Sequence, residues 1–166
     1  VLEFIDLATK MPDIQFVWAG NFAFKGISEG RKEIMEHMDD LPDNVHFLGL
    51  VERDRMNEFF NMGDVMLQLS FEELFPMTIL ESMNANIPLL LRDLPEYKPI
   101  LFDYYLKANS QQTFKDELTK LKEDADYYTK ACEGSKRGEQ FYSKESILEQ
   151  WQQFYDKVAT ERNLLS

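Results

Sequence analysis

The sequence predicts an α/β fold: a Rossmann-like open parallel sheet with helices on both faces, followed by a helical carboxy-terminal tail. Three observations predict it. Short apolar runs of four to six residues recur along the chain, closed by glycine or by polar turn residues. Between them lie stretches of about ten residues whose apolar side chains return at helical spacing. No internal repeat or low-complexity tract interrupts the alternation. Such an order implies parallel strands joined by right-handed crossovers and covered on both faces.

The elements follow in sequence. Leu2, Phe4, Ile5 and Ala8 mark a first helix that stops before Pro12, and residues 14–19 (IQFVWA) form a buried strand ending at Gly20. A helix is expected around 27–38, then a strand from Val45 to Leu48 closed by Gly49, then a helix over 53–61. VMLQL at 65–69 is the next strand, followed by a helix from about Pro76 to Met83 and a strand in PLLL at 88–91. Tyr104 to Lys107 offers a last short strand, and helices fill roughly 112–122, 125–141 and 144–160. In the last of these, Ile147, Trp151, Phe154 and Val158 share a stripe with Leu148 and Tyr155, which reads as amphipathic packing with no cofactor role. Pro42-Asp43-Asn44 and Asn84-Ala85-Asn86 are turns rather than domain linkers.

Composition bounds the function. One well-packed domain fits 166 residues, and 44% hydrophobic and 13% aromatic side chains suffice for a core. A net charge of -12, from 18 basic against 30 acidic residues, repels a nucleic-acid backbone and an anionic membrane surface. The single Cys132 makes no internal disulfide, and His37 and His46 lack metal-ligand spacing, so no metal site is expected and a reducing compartment fits. No run is long enough for a membrane span, no signal pattern opens the chain, and the start at Val1 reads as an excised domain.

Ligands of open parallel sheets sit beyond the carboxyl ends of the strands. The informative loop is residues 70–91, SFEELFPMTILESMNANIPLLL. Pro76 suits the first turn of a helix, where its missing N–H costs nothing. The free N–H groups of Met77 and Thr78 would then face the cleft with the positive end of the helix dipole, an arrangement that favours a diphosphate. Glu81 lies about 7.5 Å further along the axis, at about 1.5 Å per residue. From there its carboxylate can accept two hydrogen bonds from a vicinal diol such as a ribose. Glu73, before the helix, would stand on the other side of the phosphates.

This pattern resembles the Glu-x7-Glu motif of the family 4 retaining glycosyltransferases, which have the GT-B fold. The resemblance runs through FVWAGN at 16–21, NVHFLGLV at 44–51, NMGDVMLQLS at 61–70, Glu73 to Glu81, and IPLLLRDLPEY at 87–97. It implies that residues 1–166 are the carboxy-terminal, nucleotide-sugar-binding domain, lacking its first strand and the amino-terminal acceptor domain. It implies a catalytic role for Glu73 at the donor sugar and a ribose contact for Glu81. Phe75, Met77 and Thr78 would lie beside the diphosphate, Gly20 would let a ligand approach the backbone, and Leu50, Val51 and Arg53 would lie near the base. Turn and surface is the other reading of those last three. Two departures stand out: the family commonly reads Glu-Gly-Phe-Gly where this chain has Glu73-Leu74-Phe75-Pro76, and the family's basic phosphate-binding residues would precede Val1.

ELFPMTILE, PLLLRDLPEYKPIL and YSKESILEQWQQFY look most like bacterial glycolipid synthases. The resemblance implies a metal-independent hexosyltransferase without a cofactor. It would move glucose or galactose from UDP-glucose or UDP-galactose to diacylglycerol or monoglucosyldiacylglycerol, at the inner face of the cell membrane. The lipid would be held by the absent domain, and the full-length protein would associate peripherally with the membrane. Three other readings stand beside it: an inactive partner or chaperone subunit, which loss of either glutamate would favour; a transferase acting on a polysaccharide or protein; and a Rossmann oxidoreductase, which no GxGxxG supports.

Overall fold

The computed structural model describes residues 1–20, 40–74 and 77–164. The helix expected around 27–38 lies outside them, as do Phe75 and Pro76. The elements are α1 (Leu2–Thr9), β1 (Phe16–Ala19), β2 (Val45–Gly49), α2 (Met56–Met62), β3 (Met66–Gln68), α3 (Met77–Asn84) and β4 (Leu89–Arg92). There follow α4 (Lys98–Leu101), β5 (Leu106–Ala108), α5 (Gln111–Glu123), α6 (Ala125–Tyr142) and α7 (Lys144–Leu164). A 3-10 turn at Arg53–Arg55 precedes α2, and another at Pro95–Tyr97 precedes α4.

Every ladder is parallel, as the alternation of elements requires. β1 pairs with β2 in the register Phe16↔Val45 to Trp18↔Phe47, and β4 lies between β3 and β5. One detail differs from the expectation of a continuous sheet. The described strands form two ladders, β1–β2 and β3–β4–β5. β1 and β3 each keep an edge without a described partner and both line a cavity of about 1120 Å³. Paired strands lie about 4.8 Å apart, and β1 and β3 are not paired with each other.

The pleat of β4 explains how one strand serves two cores. Leu90 faces a cluster with Phe4, Leu7, Phe16, Phe114 and Leu118, which brings α1 and α5 onto one side. Leu89 and Leu91 face the other cluster, with Ile79 and Met83 from α3 and Tyr97, Leu101 and Tyr105. A strand buried on both sides needs no polar alternation, hence the unbroken run of leucines. On that second side α6 approaches α3 closely: a Cβ at Gly138 would come within 2.6 Å of the Met83 sulfur. Ser135 adds a hydrogen bond to the Ile87 carbonyl at 2.6 Å.

Polar side chains close the loops. Ser110 and Thr113 form a capping box at the start of α5, and Asp124 caps α6 by accepting from the Tyr127 N–H at 2.9 Å. Buried Asn44 uses its amide nitrogen to reach the carbonyls of Ala8, Met11 and Ile14 at 3.0, 3.0 and 2.8 Å. That contact fixes the bend between α1 and β1 against the start of β2.

Arg92, at the end of β4, is buried and bonds in three directions. Its guanidinium donates to the Leu69 carbonyl at 3.1 Å, the Asn109 carbonyl at 3.2 Å and the Glu3 carboxylate at 2.5 Å. It also lies 3.8 Å from the centre of the Phe71 ring. The loops after β3 and β5 are thereby tied to α1.

The stripe on α7 differs from the packing expected of it. Leu148, Trp151, Phe154 and Tyr155 are exposed, and the rings of Trp151 and Tyr155 stack on each other 5.7 Å apart.

Two substitutions test these anchors. Asn44→Ala should lower the free energy of unfolding by about 2 kcal/mol, since it strands several buried carbonyls. Urea melts with unchanged slope and unchanged midpoint would contradict this. Arg92→Met should cost about 3 kcal/mol, because Glu3 is left largely covered and unpaired. A variant as stable as the parent would show that the clamp is dispensable.

Candidate functional site

β3 ends at Gln68, beside Leu91 of β4, so the loop that follows emerges at the carboxyl end of the three-stranded ladder. Glu73 sits on this loop, half-buried, between exposed Glu72 and Leu74. The Gln68 amide donates to the Ser70 hydroxyl at 2.9 Å and to a Glu73 carboxylate oxygen at 2.6 Å. Arg92 holds the same loop through Leu69 and Phe71. Tyr97 lies fully buried near Glu73, and its hydroxyl has no hydrogen-bond partner among the described residues. Burial first, and then the negative charges of Glu73 and Glu96, push the Tyr97 pKa up to about 12, so the phenol keeps its proton at neutral pH.

The described part of α3 begins at Met77, so Met77 and Thr78 stand towards the positive end of its dipole. Ile79 and Met83 anchor the helix in the core, and the Ser82 hydroxyl donates to the Thr78 carbonyl at 2.7 Å. Met77 stays exposed.

Two cavities flank this helix. Gln68, Ser70, Glu73 and Thr78 line one end of the large cavity between β1 and β3. Glu81, exposed on α3, lines a second cavity of about 510 Å³ with Arg53, Asn57, Asn84 and Lys144. Met56 and Phe60 of α2 border both. The two glutamates thus open on neighbouring cavities and not on one.

The remaining expected residues are placed as follows. Gly20 has a φ of 138° and Gly49 a φ of 69°, both in the region where a side chain is strained, and the Gly20 N–H donates to the Gly49 carbonyl at 2.8 Å. Backbone conformation alone therefore accounts for glycine at position 20. Leu50 is strongly exposed and Val51 half-buried just beyond this bond, and neither lines the two cavities. Arg53 alone of that segment reaches the cavity of Glu81. Phase of the helix start aside, Phe75 lies outside the described residues. Sequence reasoning missed Gln68, Ser70, Arg92 and Tyr97. A glutamine inside the apolar run VMLQL was the available signal for the first.

Among the described residues no group of three or more His, Cys, Asp or Glu side chains could hold a metal ion, and no helix is long and apolar enough to cross a membrane.

Comparison with known proteins identifies the family. The family described as Glycosyl transferases group 1 matches residues 1–137. The chain is 36% identical over 157 residues to the alpha-galactosylglucosyldiacylglycerol synthase of Streptococcus pneumoniae, covering 95% of this chain and 42% of that protein. It is 29% identical to the processive diacylglycerol alpha-glucosyltransferase of Acholeplasma laidlawii, covering 94% of this chain and 46% of that one. The chain thus spans less than half the length of these two relatives. Among solved structures, Anabaena HepE in complex with UDP matches with a TM-score of 0.77 at 17% identity, over 96% of this chain and 44% of that one. The pneumococcal O-GlcNAc transferase GtfA in complex with UDP and GlcNAc matches with a TM-score of 0.65 at 19% identity, over 95% of this chain and 32% of that one. At such identities the structures establish the fold alone. The family match covers most of the chain, and this chain belongs to the glycosyl transferases group 1 family.

Proposed function

We propose that the protein carrying this chain is a retaining, metal-independent hexosyltransferase. It moves glucose or galactose from a UDP-sugar to a lipid such as diacylglycerol or monoglucosyldiacylglycerol. The observation that carries the reading is Glu73, fixed by Gln68 at the carboxyl end of β3 on the cavity that Thr78 also lines. Both named relatives are glycolipid synthases, which supports the lipid acceptor.

On this reading the amides of Met77 and Thr78, with Phe75 beside them, receive the diphosphate. Glu73 accepts from hydroxyls of the donor sugar, and Glu81 accepts from the ribose diol in the neighbouring cavity. Arg53, with Leu50 and Val51, lies towards the base, and Gly20 lets the ligand approach the backbone. Charge grows on the leaving diphosphate as the glycosidic bond breaks. Amides and a helix dipole already aimed at that charge lower the barrier without reorganising. The leaving phosphate takes the acceptor's proton on the same face, which retains the anomeric configuration. The full-length enzyme works at the inner face of the cell membrane as a peripheral protein, with its lipid held by a further domain.

We infer also that residues 1–166 form the donor-binding domain, and that a strand from outside them fills the space between β1 and β3. Two strand edges without a partner among the described residues, both on one cavity, support this. An edge strand leaves every second amide open, whereas a strand with two neighbours leaves none. In the full-length protein, amides of Phe16–Ala19 and Met66–Gln68 should all resist hydrogen exchange. Rapid exchange at alternate positions would dismiss the inserted strand.

The activity is tested by incubating the full-length enzyme with radiolabelled UDP-glucose or UDP-galactose and vesicles containing diacylglycerol. Calorimetry should rank UDP above ADP and GDP. Glu81→Ala should weaken UDP binding about ten- to a hundredfold, the worth of a hydrogen bond to a charged group. Glu73→Ala should chiefly lower kcat. Wild-type kinetics in both variants would refute this site.

A further inference from the structure

The proposed role of Glu73 raises a question that its position on a loop makes acute: what aims the carboxylate before a substrate arrives? The residues on either side of it, Glu72 and Leu74, are exposed and give it no packing. Gln68 does. It is the last residue of β3, in register with fully buried Leu91, so its backbone belongs to the rigid ladder rather than to the loop.

The orientation of its amide is fixed by chemistry. An ionised carboxylate only accepts hydrogen bonds, so the Gln68 NH2 end, not its oxygen, must face Glu73. That nitrogen has two hydrogens and two acceptors, Glu73 at 2.6 Å and Ser70 at 2.9 Å. Its donor capacity is filled within the loop that carries the site. A polar side chain in an otherwise apolar strand is costly to bury unless bonded, and both bonds go to this loop.

We propose that Gln68 is the positioning residue for Glu73: it holds the carboxylate aimed into the cavity in the absence of donor. Gln68 touches no reacting atom. It acts through Glu73, so this inference rests on the reading of the site given above.

The test uses the full-length enzyme with Gln68→Leu, Gln68→Glu and Glu73→Gln, alone and combined. Gln68→Glu keeps the shape of glutamine but turns the donor into a second carboxylate against Glu73. Both Gln68 variants should lose about ten- to a hundredfold in kcat, as expected for a hydrogen bond to a charged group. KM for the UDP-sugar and the Kd for UDP should stay within about threefold, because the lost contact is one that matters beyond ground-state binding. Thermal melts taken alongside should be close to the parent. In the Glu73→Gln background, Gln68→Leu should cost nothing more, since residues that act as a unit are not additive. A wild-type kcat in Gln68→Glu would reduce Gln68 to space-filling and overturn the proposal, as would additive losses in the double variant. If Glu73→Gln itself keeps full turnover, the site reading falls and this inference with it. If only Gln68→Leu is silent, the site stands and the positioning role alone is lost.

Discussion

The site depends on one buried cation. Arg92 stands at the carboxyl end of β4, where the loops that follow β3 and β5 meet the start of α1. Removing a guanidinium from water is expensive, and the cost is met only when its donors are satisfied in good geometry. Here two carbonyls, one carboxylate and an aromatic face do so together. Lysine, a compact charge with no planar fork, could not reach partners spread over so wide an arc. The result is a fixed rim: Leu69 and Phe71 cannot leave Arg92 without exposing an unpaired charge. The loop that bears Glu73 therefore starts from a defined place, and Gln68 needs only to orient its tip.

Much of the frame was legible in the residues. The run PLLL announced a strand buried on both sides, and β4 is flanked by a core on each face. The five strands lie where short apolar runs predicted them, and α5, α6 and α7 follow their helical periods to within a few residues. Pairing partners were not legible, because an apolar run says that a strand is buried but not what lies beside it. The separation of β1 from β3 belongs to that blind spot. The α7 stripe is a related case: helical spacing of Trp151, Phe154 and Tyr155 shows that one face is apolar, and only the packing shows that it is uncovered. Arg92 escaped notice because a charge after a hydrophobic run looks like the polar end of a strand. Its partners are 17 to 89 residues away in the chain.

The site itself was half legible. Spacing placed Glu73 before a helix and Glu81 within it, and Glu81 does lie in the helix Met77–Asn84. What spacing along an axis does not give is the neighbour on each flank. Gln68 comes from the strand side and bonds Glu73, while Arg53 and Lys144 come from distant elements and line the cavity of Glu81. Gly20 is a different case: its backbone conformation demands glycine whether or not a ligand approaches it.

The separation of the two acids has a physical rationale on the proposed reading. A diphosphate and a carboxylate repel, by about 4 kcal/mol for unit charges 4 Å apart near a protein surface. Two carboxylates on the wall that receives the phosphates would cancel what the amides of α3 contribute. Placed in adjoining cavities, each acid can accept from neutral hydroxyls at one end of an extended ligand. The charged middle is left to donors alone. On that reading Glu73 and Glu81 would select the sugar and the ribose without opposing the phosphates, while Met56 and Phe60 of α2 border both cavities.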